Sequence, residues 1–216
     1  DCMIVFYRCC LEKPGRLFCV LLILVIASCN EDDSDPKAPP TLTDEPAEVG
    51  LKWADMTLYT IRFSAFNTPT YSSRSLGYLG LAMYESIVHG DSIHRSMSGQ
   101  LNGLTLPLPE AKQSYQWILS LNAAQHSLLK LLYPVPANSH RFIHERIDSL
   151  SNAVYNEHAK AIDSEIVKRS VEFGEAIALA IYDWSLTDGG DQGYTRNFDP
   201  NFLFPSGPSY WVAPTR

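Results

Sequence analysis

Ser73-Arg74-Ser75-Leu76-Gly77-Tyr78-Leu79-Gly80-Leu81-Ala82-Met83-Tyr84-Glu85-Ser86-Ile87-Val88-His89-Gly90 reads as a helix of about four turns. Leu76, Leu79, Gly80, Met83 and Ile87 recur at helical spacing, and Tyr78, Leu81, Ala82 and Val88 fill most of the other faces. A helix that is apolar nearly all round is expected to be buried nearly all round. Gly77 and Gly80 each weaken a helix interior by about 1 kcal/mol relative to Ala. Their presence predicts close approach of neighbouring helices. Gly90 is a natural stop. The expected architecture is therefore all-α, a bundle of about five helices around a buried central helix at about 73–89.

The other segments agree on helix. Glu48 to about Phe66 carries Trp53, Met56, Thr60 and Phe63 on one face, and Asn67-Thr68-Pro69-Thr70 breaks it. A third helix is predicted from Pro109 to Leu132, with Trp117, Leu121, Ala124, Leu128 and Leu131 as its apolar stripe. Asn138 or Ser139 caps a fourth to about Asn156, and Asp163 or Ser164 a fifth to about Leu186. Gly174 in the fifth again predicts tight packing. Asp91 to Pro107, rich in Ser, Gly and Asn, reads as a lid or a surface excursion. From Tyr194 onward no helix is expected, only an irregular tail.

The N-terminus reads as an address. Arg8, Lys13 and Arg16 precede an apolar run from Leu17 to Ala27, too short for the ~20 residues of a comfortable membrane span but suited to a signal peptide. The run ends Ile26-Ala27-Ser28-Cys29, which resembles the lipobox of bacterial lipoproteins and marks Cys29 for lipidation. All five cysteines lie at positions 2, 9, 10, 19 and 29, so no disulfide framework is expected in the fold. Residues 1–28 are read as the lipoprotein signal peptide. Residues 29–48, acidic and then Pro-rich, form a tether, and 49–216 form the helical domain. The implied location is the bacterial outer membrane or periplasm, lipid-anchored, with the membrane as a partner. The acidic residues after Cys29 resemble surface-export signals. A net charge of −7 argues against nucleic acid.

Residues 50–216 resemble the N-terminal half of vanadium-dependent haloperoxidases, within the type-2 phosphatidic acid phosphatase superfamily. The resemblance rests on several pieces in order. Trp53 and Arg62 are followed by a Thr-Pro loop and by Ser73-Arg74, which opens an Ala/Gly-rich helix ending Met83-Tyr84-Glu85-Ser86. Next come Asn122-Ala123-Ala124 and Leu132-Tyr133-Pro134, then Gly174 to Trp184 with Asp188-Gly189, and last Tyr210-Trp211-Val212-Ala213-Pro214-Thr215. For a full-length member the resemblance implies vanadate, or phosphate in the phosphatase branch, and it is compatible with an oligomer.

The oxyanion-binding motifs that the resemblance leads one to expect are absent from the 216 residues. These are a Lys with a following Arg-Pro, a Pro-Ser-Gly-His, and an Arg with a downstream His. In Pro205-Ser206-Gly207 a Pro follows where His is needed, so a turn is expected. The resulting expectation is a truncated scaffold half without catalytic residues or a cofactor of its own. A non-enzymatic, envelope-anchored binding or scaffold module is the alternative. His140 and His144, with Asp148 one turn further, are weak metal candidates, and the neighbouring Arg141, Glu145 and Arg146 favour a solvated polar face. Asp188, Asp191 and Asp199 around Gly189-Gly190 read as a turn rather than a Ca2+ loop. Arg62, Arg74 and Glu85 are expected to pair with one another.

Overall fold

The computed structural model describes residues 47–196, 201, 203 and 205–210. All of them belong to the unit Pro40–Arg216. Among the described residues five α-helices follow in chain order: α1 (Glu48–Phe63), α2 (Pro69–Glu85), α3 (Trp117–Leu132), α4 (Arg141–His158) and α5 (Ser164–Ser185). Among the described residues there is no strand, so the all-α expectation holds.

The helix boundaries have local causes. Pro69 occupies the first turn of α2, where a missing N–H is harmless, and the Thr68 hydroxyl accepts from the Tyr71 N–H. The Asp163 carboxylate accepts from the Glu165 N–H to start α5, as its capping position predicts. The predicted start of α3 at Pro109 is wrong by two turns. Lys112 takes a positive φ of 63°, and the Glu110 N–H donates to the Tyr115 hydroxyl. The helix begins only at Trp117, where the Gln116 N–H donates to Ser170 Oγ of α5.

The buried central helix is α3, not the helix expected at 73–89. Every residue from Ile118 to Gln125 is buried, and Leu128, Leu129 and Leu132 continue the buried surface. The other four helices surround it. Trp53 of α1 donates to Asn122 Oδ1 (3.1 Å), and Asn122 Nδ2 donates to the Ser151 carbonyl of α4 (3.1 Å). Gln125 Nε2 donates to the Leu79 carbonyl of α2 (2.9 Å). On the remaining side α5 presses Gly174 against the α3 backbone: a Cβ there would sit 2.9 Å from the Ser120 carbonyl carbon and 3.0 Å from Ala123 Cβ. Gly174 is thus required by close approach, as the sequence suggests.

In contrast, α2 is covered on one side only. Tyr71, Ser75, Leu79, Ala82 and Glu85 are buried, but Leu76 is 44% exposed and Gly77 and Gly80 are exposed. Nothing lies within 4 Å of a Cβ at either glycine. α2 also ends at Glu85, before a short 3-10 turn at Val88–Gly90.

The connection from Asp91 to Pro107 is neither lid nor excursion. Leu104 and Leu106 are buried in the core. The buried Glu85 carboxylate accepts from the Ser96 hydroxyl (2.7 Å) and the Met97 N–H (2.6 Å), and Trp184 Nε1 donates to the Asn102 carbonyl (3.1 Å).

Candidate functional site

The densest polar arrangement joins the start of α2 to the turn that follows α5. Arg74 Nε meets Asp188 Oδ2 at 2.6 Å, and Arg74 Nη2 donates to the Ser185 carbonyl at 2.6 Å. The Tyr78 hydroxyl donates to the same carboxylate oxygen (2.8 Å), while the Gly190 N–H donates to Asp188 Oδ1 (2.7 Å). The guanidinium lies over the Tyr78 ring at 4.9 Å and the Tyr71 ring at 5.9 Å. Gly189 adopts φ 73°, a left-handed conformation suited to glycine. A Cβ on Gly190 would stand 2.7 Å from Arg74 Nε, so glycine here leaves room for the guanidinium.

The electrostatics follow from this packing. Partial burial works against ionising Asp188. The Arg74 guanidinium, the Gly190 N–H and the Tyr78 hydroxyl together outweigh it and hold the carboxyl below its usual range. Burial, then the hydrogen bond to Asp188 and its negative charge, push the Tyr78 phenol up to about 12. Burial also raises Tyr71, whose hydroxyl donates to the Leu132 carbonyl at 2.6 Å. Tyr71 meets Tyr133 and Tyr194 edge-on, with ring centroids 5.8 Å and 5.2 Å away. Ionised Arg74–Asp188 with neutral tyrosines makes a structural clasp. It presents no general base and no activated nucleophile.

Arg62, Arg74 and Glu85 therefore do not pair with one another as expected. Arg62 lies over the Phe63 ring, Arg74 binds Asp188, and Glu85 holds the Ser96–Met97 backbone. Asp188 is likewise committed to Arg74 and Tyr78, which agrees with reading its loop as a turn; Asp199 lies outside the described residues.

The helical trio His140, His144 and Asp148 is also divided. His140 is exposed and stacks on Phe142. His144 Nε2 donates to the Tyr133 carbonyl at 2.7 Å. Asp148 turns to α3, where it accepts from His126 Nε2 (2.7 Å) and Lys130 Nζ (2.6 Å). Among the described residues no three His, Cys, Asp or Glu side chains are grouped to hold a metal ion. The His126–Lys130–Asp148 cluster joins two helices distant in sequence, and only i, i+4 spacing within α3 hinted at it. Pro205-Ser206-Gly207 is an exposed turn, with Gly207 at φ 144° and the Tyr210 N–H donating to the Gly207 carbonyl. Cys29 and the segment 211–215 lie outside the described residues.

A tetrahedral oxyanion such as vanadate needs several cationic donors converging on one point. Here the cations are dispersed. Arg74 is bound to Asp188, Lys130 faces Asp148, and Arg146 lies over Tyr59 beside a groove of about 550 Å³ between α1 and α4. The described residues do not fit such a group.

No family profile matches the chain, and no curated protein does. A solved structure does: the first bacterial vanadium-dependent iodoperoxidase, at 26% identity and a TM-score of 0.56. The match covers 77% of this chain and 40% of that one, so the chain spans less than half the length of the protein it matches. The contacts that unite the helices involve residues that carry the resemblance: Trp53 with Asn122, Arg74 with Asp188, and Gly174 against Ser120 and Ala123. The chain carries a haloperoxidase-like all-α fold.

Proposed function

We propose that this chain is the N-terminal helical scaffold half of a vanadium-dependent haloperoxidase-like protein, exported as a lipoprotein and not catalytic by itself. The likeness to the iodoperoxidase over 77% of this chain carries the reading. In sequence, the 216 residues hold none of the oxyanion motifs. In space, Arg74, Lys130 and Arg146 sit in separate places, each with its own partner or aromatic ring. The role of the helices is then mechanical. They form a packed platform whose Arg74–Asp188 clasp fixes the turn after α5, so that residues supplied elsewhere could build an oxyanion site. Vanadate belongs to that complete assembly, where it would supply the Lewis-acid chemistry.

The test is direct. The purified chain is incubated with orthovanadate, peroxide and iodide or bromide, and separately with a phosphate monoester. No halide oxidation and no phosphate release are expected. Turnover that is abolished by vanadate removal, or phosphatase turnover by the chain, would overturn the proposal. The export reading is tested by metabolic labelling with an alkyne fatty acid: label is expected on the chain and lost in Cys29→Ala.

A further inference from the structure

The clasp between α2 and the turn after α5 sets a phenol on a carboxylate. The Tyr78 hydroxyl donates to Asp188 Oδ2 at 2.8 Å, and Arg74 and the Gly190 N–H hold that carboxylate in its ionised form. Other tyrosine hydroxyls are placed differently. Tyr71 donates to the Leu132 carbonyl and Tyr84 to the Arg95 carbonyl, while Tyr115 accepts from the Glu110 N–H. A main-chain carbonyl cannot take up a proton near neutral pH, whereas a carboxylate can. The distinction is silent in the resting chain, because a neutral phenol is far too weak an acid to protonate Asp188. It decides the outcome once an electron is removed, since a phenol radical cation is a stronger acid than any carboxylic acid.

The surroundings let an electron leave. Trp184 meets the Tyr78 ring edge-on, with centroids 5.6 Å apart, and both rings are partly exposed. The Arg74 guanidinium lies over both Tyr71 and Tyr78. A radical cation on Tyr71 would keep its charge beneath Arg74, and like charges repel strongly at that range. On Tyr78 the proton leaves with the electron, so the ring stays neutral. We infer that Tyr78 is a one-electron donor to a strong, diffusible one-electron oxidant, with Asp188 Oδ2 receiving its phenolic proton. The electron goes to the oxidant, directly or through Trp184. The products are a neutral tyrosyl radical, a protonated Asp188 and the oxidant reduced by one electron. A one-electron reductant and the returning proton restore the resting clasp. This activity is separate from the scaffold reading and needs no oxyanion site.

The test uses the full chain and photogenerated tris(bipyridyl)ruthenium(III) as the oxidant, with tyrosyl radical followed by optical absorption and electron paramagnetic resonance. A fast radical phase is expected in the parent and lost in Tyr78→Phe, which keeps the ring against Trp184 and Arg74. Its rate should be flat from about pH 5 to pH 9, because the proton has an internal acceptor that is ionised throughout. Exposed tyrosines such as Tyr155 release theirs to solvent and should form a slower phase that climbs with pH. In Asp188→Asn the Tyr78 phase should slow at least tenfold at neutral pH and acquire the same climb. An Asp188→Asn profile that stays flat overturns the proposal, whatever the loss of stability. A fast phase that survives Tyr78→Phe, or a parent rate that climbs with pH, overturns it too. Those last two readouts stand even where Asp188→Asn fails to fold.

Discussion

Replacing Gly174 by Ala tests the packing of the bundle at its tightest point. The added methyl meets backbone, the Ser120 carbonyl, and not the free end of a flexible side chain. The Ser120 carbonyl oxygen meets the added methyl before the carbonyl carbon does at 2.9 Å, so restoring an ordinary contact moves α5 and α3 apart by about 1 Å. A gap of that size forfeits roughly half of the dispersion energy at each displaced contact, and overpacked cores lose about 1–3 kcal/mol. Ala improves helix propensity by about 1 kcal/mol, which offsets part of the loss. Because the clash is with backbone, the loss falls at the upper end of that range, and the net expectation is a destabilisation of about 1–2 kcal/mol. For a domain of this size that lowers Tm by roughly 2–8 °C, read by circular dichroism. Gly77→Ala and Gly80→Ala make the same chemical change into open space, and each should raise stability by about 0.5–1 kcal/mol. A Gly174→Ala variant as stable as the parent, or a loss at Gly80→Ala equal to that at Gly174→Ala, would refute the packing argument.

Asp188→Asn should destabilise the chain by about 1–3 kcal/mol in urea titrations, because Arg74, with a side chain 11% exposed, loses its counter-charge. A double-mutant cycle with Arg74→Ala should show coupling, and additive effects would contradict the clasp. Because the folded-state pKa of Asp188 is lowered, its contribution is complete above about pH 4 and lost as pH falls through the folded value. Asp188→Asn should therefore flatten the acid limb of stability. Tyr78 is shifted the other way: its contribution is complete below pH 10 and disappears as pH rises to about 12, so Tyr78→Phe should lessen alkaline destabilisation across that window. Trp53→Phe leaves the buried Asn122 carbonyl oxygen without its donor and should cost about 1–3 kcal/mol in chemical denaturation.

The five helices were legible because each carries apolar residues at helical spacing, with Thr68-Pro69 and Asp163 as starts. Which helix lies at the centre was not. α3 places Ser120, Asn122 and Gln125 on buried faces, and a periodicity argument counts such residues as outward. Asn122 and the Gln125 amide are tolerated inside because carbonyls of other helices accept from them, information that no local pattern holds. α2 differs in the opposite sense: its sequence is apolar nearly all round, but half of that surface faces no other described helix. The clasp was hidden for the same reason, since Arg74 and Asp188 are more than one hundred residues apart. His140 and His144 share a helix face, yet sharing a face does not make side chains converge.

The Glu85 carboxylate bears on how the chain closes upon itself. The link between α2 and α3, from Ser86 to Gln116, is long enough to suggest a slack excursion. Fixing Ser96 and Met97 to the end of α2 turns that one span into a short return and a second, shorter arc. The entropy of closing a loop grows only with the logarithm of its length, so the saving per loop is small. The larger effect is on fate after cleavage. A peptide bond cut near Ile93 leaves both new ends tethered, one through the helix and the other through the carboxylate. The nicked chain should hold together as a single body instead of releasing α1 and α2 from the rest.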